Sequence, residues 1–151
     1  MSTLPAFERL TPHAKRALVC AQQEAEDGPD GYIDTEHILL GLFRVGEGSG
    51  YRALRHLGVD ELKVRDQLER ARRSRKPTPM PDTIMPTSRV RDVVLIAHLE
   101  MARAGLDRLH SGHLLAGLAL EGTGTAAQML KAQWIEANLV VVAVEREVAS
   151  S

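Results

Sequence analysis

The chain has 151 residues, of which 44% are hydrophobic and only 3% aromatic, and its formal net charge is −1. This length is enough for one domain with a buried core, and a core so poor in aromatic side chains favours helix packing over a β-sandwich. The balanced charge argues against a dedicated nucleic-acid-binding protein, which would carry a marked basic excess.

The first predicted helix begins at Thr11, where a hydroxyl side chain suited to an N-cap is followed by Pro12. Apolar residues at spacings of three and four continue to about Asp27, and the next four residues, Gly-Pro-Asp-Gly, end the helix. A second helix is capped by Asp34 or Thr35. The apolar face of this second helix consists of Ile38, Leu39, Leu42 and Phe43.

The glycine-rich run Gly46–Gly50 is predicted to be a loop, because glycine is costly inside a helix. A short third helix then covers about residues 51–57 and ends at Gly58, a residue type common at helix C-caps. The fourth helix covers about residues 60–73. Its predicted inward residues are Val64 and Leu68.

Residues 74–86 contain four prolines and are predicted to form an irregular linker. The second half of the chain then repeats the order of the first. Its last helix is rich in valine, which lowers intrinsic helix propensity, but its place in the repeat still predicts a helix. The four helices of the second half are predicted at about residues 88–104, 113–120, 125–132 and 136–149.

An internal repeat accounts for this order. The segment TEHILLGL at Thr35–Leu42 returns as SGHLLAGL at Ser111–Leu118, 76 positions later, and the same offset aligns Thr11 with Thr87. Matches spread along one fixed offset indicate a duplicated structural unit. The sequence therefore predicts an all-α fold in which two pseudo-symmetric four-helix repeats pack as one domain. That domain is predicted to span residues 1–151, with repeats at about 7–73 and 87–149 and the linker at about 74–86.

These residues resemble the N-terminal domain of the Clp ATPases, and the ClpC type most closely. The resemblance rests on FERLTPHAKRAL at Phe7–Leu18, YIDTEHILLGLFRVGEG at Tyr32–Gly48 and the joint at Leu57–Val59, with weaker SGHLLAGL and EGTG elements in the second copy. It implies a double four-helix repeat that receives substrates and adaptors ahead of the ATPase modules. The sequence has no GxxxxGK[ST] phosphate loop, so no ATP hydrolysis is expected. The chain looks like a free-standing protein of this type, or a piece of one.

The resemblance also implies a binding site for phosphorylated arginine in each repeat. In ClpC-type domains the glutamate of the TEH motif pairs with the guanidinium group, and the threonine at the start of the first helix helps to hold the phosphate. A carboxylate matches a guanidinium group in a bidentate way, and a helix N-terminus favours phosphate. Carried over by position, the first site keeps Thr11 and Glu36. The second keeps Thr87, but Gly112 replaces the glutamate, so we expect one competent site and one degraded site.

A simpler interpretation of the same residues stays open. Glu36 lies in the first turn of its helix, where a negative charge interacts favourably with the helix dipole, and Thr11 is then only a cap.

A partner surface is implied at the junction of the two first helices, where the family docks adaptors and some antibiotic peptides. The residue before each threonine is commonly aromatic in this family. Here it is Leu10 in one copy and Pro86 in the other, so stacking contacts are lost. Lys15 and Arg91 keep a positive charge at matching positions and are expected to suit an acidic partner.

No catalytic, metal or cofactor site is predicted. His37 and His113 are expected to satisfy local hydrogen bonds near helix starts, because no set of cysteines or carboxylates has metal-ligand spacing around them. Cys20 has no base at short range and is predicted to be a small core residue. The basic run at residues 70–76 ends a helix, where the dipole favours cations. A weak patch for an acidic partner is the alternative.

We expect a non-catalytic protein- or peptide-binding module that modulates a Clp chaperone–protease by binding substrates or adaptors. The expected partners are Clp ATPase or protease components, their substrates or adaptors, and peptide ligands, with no nucleic acid and no membrane. The alternative is a soluble decoy that sequesters peptide antibiotics aimed at the ClpC N-terminal domain. A single cysteine, no secretory leader and no apolar run of about 18 residues predict a cytoplasmic location.

Overall fold

A computed structural model describes residues 7–77 and 79–151. Residues 1–6, where no leader is predicted, and Thr78 in the linker lie outside the described residues. A short 3-10 turn at Phe7–Arg9 precedes the first helix. The α-helices of the described residues are α1 (Pro12–Asp27), α2 (Thr35–Val45), α3 (Ser49–Leu57), α4 (Glu61–Arg73), α5 (Ser88–Arg103), α6 (Ser111–Glu121), α7 (Thr125–Ala132) and α8 (Ala137–Ala149).

The all-α fold and the helix order confirm the sequence prediction, and most helix ends follow from their predicted caps. The side chain of Thr11 accepts a hydrogen bond from the backbone N–H of Ala14 at 3.3 Å, so it is the N-cap of α1. Asp34 rather than Thr35 caps α2. Gly58 ends α3 in the left-handed region, with φ of 74°.

The predicted loop at Gly46–Gly50 is wrong at its end, because α3 already begins at Ser49. The backbone N–H of Gly50 donates to the hydroxyl of Ser111 at 2.9 Å, and a Cβ at this glycine would lie 2.9 Å from the carbonyl oxygen of Ser111. Contact with the second repeat therefore outweighs the low helix propensity of glycine at this position.

The two repeats use the same packing device. A Cβ on Gly41 of α2 would lie 2.5 Å from the carbonyl oxygen of Ala17 on α1, and a Cβ on Gly117 of α6 would lie 2.5 Å from that of Val93 on α5. Only glycine allows the helix backbones to approach this closely. This pair explains why a glycine recurs inside both helices of the repeated octet.

Two short backbone bridges join one repeat to the other. Leu10 pairs with Leu109, and Ile33 pairs with Pro86, both in the parallel sense. The two bridges are equivalent under the 76-residue offset, as expected for a pseudo-twofold arrangement. In the core between them, α6 contacts α1, α2 and α3 as well as its own repeat, and the partly buried Cys20 packs against this core. The described helices are all too short or too polar to cross a lipid bilayer.

Trp134 occupies the place that Gly58 has in the first repeat. It keeps the same left-handed backbone, with φ of 64°, although it is the one residue other than glycine with positive φ in the described part of the chain. Its side chain is 89% exposed, so little packing compensates the backbone strain.

We therefore expect Trp134→Gly to stabilise the protein by about 1 kcal/mol, because glycine adopts this backbone without steric cost. The free energy of unfolding in urea, measured for the variant and the parent, checks this. Gly58→Ala, at the equivalent position of the first repeat, should change stability in the opposite direction. A loss of stability in Trp134→Gly would show that the indole makes contacts that outweigh the strain.

Candidate functional site

Three ionisable side chains are buried together at the start of α2. Asp30 lies before the helix, and Glu36 and His37 lie in its first turn. Asp30 is 6% exposed, and the other two are 0% exposed. Burying a charged carboxylate is strongly unfavourable unless cations and hydrogen bonds compensate it. The contacts of this cluster therefore decide what the site can hold.

His37 fixes the geometry of the cluster through two hydrogen bonds. Its Nδ1 accepts the backbone N–H of Asp34 at 2.9 Å, which closes a capping box at the start of α2. Because Nδ1 is an acceptor, the proton is on Nε2, which lies 3.0 Å from Oδ2 of Asp30. The sequence prediction that His37 satisfies local hydrogen bonds is confirmed.

Arg72, in the last turn of α4, pairs with Asp30 through two nitrogens. Its Nη2 lies 2.6 Å and its Nε 3.1 Å from Oδ2 of the carboxylate. Burial alone would raise the pKa of Asp30, but hydrogen bonds and charge attraction from Arg72 and His37 outweigh it and hold this pKa below its ordinary value. Asp30 is therefore ionised in the folded protein near neutral pH.

Arg75, two residues beyond the end of α4, supplies the cation for Glu36. Its Nη2 donates to Oε2 of Glu36 at 2.9 Å, and its Nη1 lies 3.4 Å from Oδ1 of Asp30. Burial disfavours the charged guanidinium, but the attraction of Glu36 prevails and raises the pKa of Arg75. The other carboxylate oxygen of Glu36, Oε1, is buried and has no hydrogen-bond partner among the described residues.

The basic run at residues 70–76 therefore has a role that the sequence interpretation missed. The helix dipole favours cations at this position, but Arg72 and Arg75 also pair with two buried carboxylates about 40 positions earlier in the chain. The available signal is local: two arginines three positions apart near a helix end lie on one side of it. Nothing in the linear pattern names Asp30 and Glu36 as their partners.

The two threonines predicted at the site lie against opposite repeats. The backbone N–H of Thr11 donates to the carbonyl of Leu109 at 3.0 Å, whereas that of Thr87 donates to the carbonyl of Ile33 at 2.9 Å. The hydroxyl of Thr87 donates to Oδ1 of Asp34 at 3.1 Å. These contacts place Thr87 beside the segment that leads into Glu36. Thr11 contacts the segment that leads into Gly112.

The residues predicted for a partner surface differ in exposure. Leu10 is 5% exposed and belongs to the core, so its side chain is not available on the surface. Pro86 is half-buried in its bridge to Ile33, and Lys15 is also half-buried. Arg91 is exposed on α5. The charged positions therefore carry what remains of this predicted surface.

The second repeat has an apolar version of the same site. By the 76-residue offset, Leu106 replaces Asp30, Gly112 replaces Glu36 and Val148 replaces Arg72. A Cβ on Gly112 would lie 2.9 Å from Oγ of Ser49 and 3.0 Å from Cγ1 of Val144, so the packing there leaves no room for a glutamate. A cavity of about 270 Å³ lined by Leu106 and Val148 remains beside α6.

His113 keeps its cap in this apolar setting. Its Nδ1 accepts the backbone N–H of His110 at 2.9 Å, as His37 does in the first repeat. Burial, with a smaller contribution from the charge of His110, lowers the pKa of His113 from 6.5 to about 4. Among residues 7–77 and 79–151, no three histidine, cysteine or carboxylate side chains are grouped so as to hold a metal ion.

Comparison with known proteins identifies the family and the fold. The model of the family "Clp repeat (R) N-terminal domain" matches residues 9–133. The chain belongs to this family. The Clp repeat domain is 36% identical over 132 residues to the negative regulator of genetic competence ClpC/MecB of Bacillus subtilis. It is 35% identical over 133 residues to the chaperone protein ClpB of Oceanobacillus iheyensis.

Each of these two matches covers 87% of this Clp repeat domain but only 16% of the relative, so the chain spans about a sixth of the length of the proteins it resembles. Among solved structures, the N-terminal domain of ClpD from Arabidopsis thaliana superposes with a TM-score of 0.74 at 21% identity. That match covers 96% of this chain and 97% of the other. The Hsp104 N-terminal domain from Candida albicans gives a TM-score of 0.72 at 13% identity, covering 89% and 88%. These likenesses confirm the fold.

The lowered pKa of His113 predicts a loss of stability in mild acid. The folded Clp repeat domain keeps this imidazole neutral down to about pH 4, whereas the unfolded chain protonates it below about pH 6.5. The unfolded state therefore binds more protons in this window, and stability falls as the pH drops through it. The full decrease in the free energy of unfolding, reached below about pH 4, is on the order of 3 kcal/mol. His110, whose pKa burial also lowers, acts in the same direction.

Urea unfolding at pH 7 and pH 5 measures this loss. His113→Asn keeps an acceptor for the backbone N–H of His110 and should lose less stability between the two pH values than the parent does. His56→Asn, at an exposed position, is the matched control and should behave like the parent. Equal pH dependence in all three proteins would contradict the assignment to His113.

Proposed function

We propose that this Clp repeat domain is a non-catalytic module that binds proteins or peptides for a Clp chaperone–protease. Membership of the family supports it, as do the names of the relatives, which include a chaperone and a regulator. The sequence has no phosphate-loop motif for ATP. Substrates or adaptors of the Clp system, and Clp components themselves, are the partners proposed.

One observation supports a particular ligand chemistry. Glu36 is fully buried at a helix start, and the group that meets its carboxylate is a guanidinium. A buried carboxylate with one oxygen still unpaired can accept two N–H donors from one planar guanidinium, which suits arginine more than lysine. We therefore propose that the recognised feature is an arginine side chain, in its free or phosphorylated form.

The phosphate end of the site involves the threonines. Thr87 lies at the start of α5, where backbone N–H groups and the helix dipole favour an anion. The hydroxyl of Thr87 already donates to the carboxylate of Asp34. That carboxylate would repel a phosphate bound at the Thr87 hydroxyl. Thr11 offers the equivalent helix start beside the second repeat, where Gly112 leaves no carboxylate. The proposed site therefore combines Glu36 with Thr87, and the ratio of arginine to phosphoarginine affinity measures the effect of Asp34.

Binding of short fluorescent peptides with one arginine or one phosphoarginine, followed by anisotropy, tests this function. We expect Glu36→Gln to weaken binding at least tenfold, because it removes the charge that pairs with the guanidinium while keeping the shape of the side chain. Glu26→Gln, an exposed position on α1, is the matched control and should bind like the parent. Binding that is unchanged in Glu36→Gln would rule out this carboxylate as the ligand site.

A pull-down from native lysate with the same three proteins addresses the partner. Recovery of Clp subunits or their substrates by the parent and by Glu26→Gln, reduced with Glu36→Gln, is the expected result. Failure to recover any Clp component or substrate would count against the role in a chaperone–protease.

A further inference from the structure

The guanidinium acceptor of this site is already in contact with a guanidinium of the same chain. Arg75 lies in the irregular segment after α4, 39 positions after Glu36, and donates to its Oε2 at 2.9 Å. The side chain of Arg75 is 27% exposed, whereas that of Glu36 is 0% exposed. A group at the rim thus covers a carboxylate at the base of the site.

The contact with Arg75 engages only one of the two carboxylate oxygens of Glu36. Arg75 gives one nitrogen to Glu36 and directs the other towards Oδ1 of Asp30 at 3.4 Å, so the pair is not a parallel fork. Oε1 of Glu36 is left buried without a hydrogen-bond partner among the described residues. A buried acceptor without a donor is costly, and a bidentate arginine would satisfy both oxygens.

Arg72 provides the contrast within the same cluster. It belongs to the last turn of α4, contacts Asp30 through Nε and Nη2, and is 19% exposed. Because Asp30 has this partner and His37, it stays paired when Arg75 moves away. Release of Arg75 therefore leaves the carboxylate of Glu36 as the one unpaired charge of this cluster. An incoming guanidinium would form an ion pair with it.

There is also space for such an exchange. A cavity of about 290 Å³ opens beside Arg75, and its lining includes Tyr32, the carboxylate of Asp30 and the cations Arg72 and Lys76. The backbone N–H of Arg75 donates to the carbonyl of Arg72 at 3.1 Å, so the backbone stays at the end of α4. The side chain of Arg75 is 27% exposed, and its rotation towards solvent is enough to uncover Glu36.

We propose that Arg75 is a tethered ligand of the Glu36 site, and that an arginine of a bound protein takes its place. This inference rests on the proposed function and adds that Arg75 competes with an outside arginine for Glu36. A tethered group acts at a high effective concentration, so it lowers the apparent affinity of the site for every outside guanidinium. If Arg75 fills the site about 90% of the time, outside ligands bind about tenfold more weakly than to the open site.

Removal of the tethered guanidinium tests the proposal. Arg75→Gln is expected to bind the single-arginine peptide at least tenfold more tightly than the parent, since the acceptor is then open. Arg73→Gln, which removes an exposed charge from the last residue of α4, is the matched control and should bind like the parent. The double variant Glu36→Gln with Arg75→Gln should lose the gain, because the acceptor is gone.

A second variant covers the case in which Arg75→Gln destabilises the fold. Arg75→Lys keeps a positive charge near Glu36 but lacks the planar fork of donors, so it should compete less well. It is expected to bind the peptide more tightly than the parent while circular dichroism shows an unchanged helix content. Affinities of both Arg75 variants equal to that of the parent, with binding still dependent on Glu36, would overturn the tethered ligand and leave the proposed function standing.

An experiment without any peptide separates the two ideas further. In nitrogen-15 spectra of the arginine side chains, the Nη protons of Arg75 should exchange with water more slowly than those of Arg73. Glu36→Gln should reduce this difference, although Nη1 of Arg75 still faces Asp30. Slow exchange without peptide binding by any variant would support the contact and refute the function. Equal exchange at Arg73 and Arg75 would refute the tethered ligand.

Discussion

Two carboxylates buried at the start of α2 are the constraint on which the first repeat depends. Asp30 and Glu36 are both removed from water, and buried negative charges require cations nearby. The end of α4 supplies these cations through Arg72 and Arg75. The need for cations beside these two carboxylates therefore links the end of α4 and the start of the linker to the site.

The duplication shows which features belong to the fold and which to the site. Glycines at Gly41 and Gly117 and capping histidines at His37 and His113 are present in both repeats, and they set helix packing and helix starts. The charged cluster is present only in the first. In the second, Leu106 and Val148 stand in place of Asp30 and Arg72, and Gly112 packs directly against Ser49. The two halves therefore share an architecture, and only one keeps the chemistry to hold a guanidinium.

Much of this fold could be predicted from the sequence, because its signals are local. The cap at Thr11, the left-handed end at Gly58 and the periodic apolar positions depend on neighbours a few residues away. The start of α3 at Ser49 could not be predicted, since it depends on a contact with Ser111 in the other repeat. The contact between Thr87 and Asp34 could not be predicted for the same reason: alignment by offset shows which residues are equivalent and does not show which residues touch. The partners of Arg72 and Arg75 are equally non-local.

The coupling between Glu36 and Arg75 tests the central claim most directly. A double-mutant cycle compares the free energy of unfolding of the parent, Glu36→Gln, Arg75→Gln and the double variant, without any ligand. If the buried carboxylate depends on this guanidinium, the two substitutions are non-additive by at least about 1 kcal/mol, because each single variant leaves its partner unmatched. Additivity within about 0.5 kcal/mol would contradict the account.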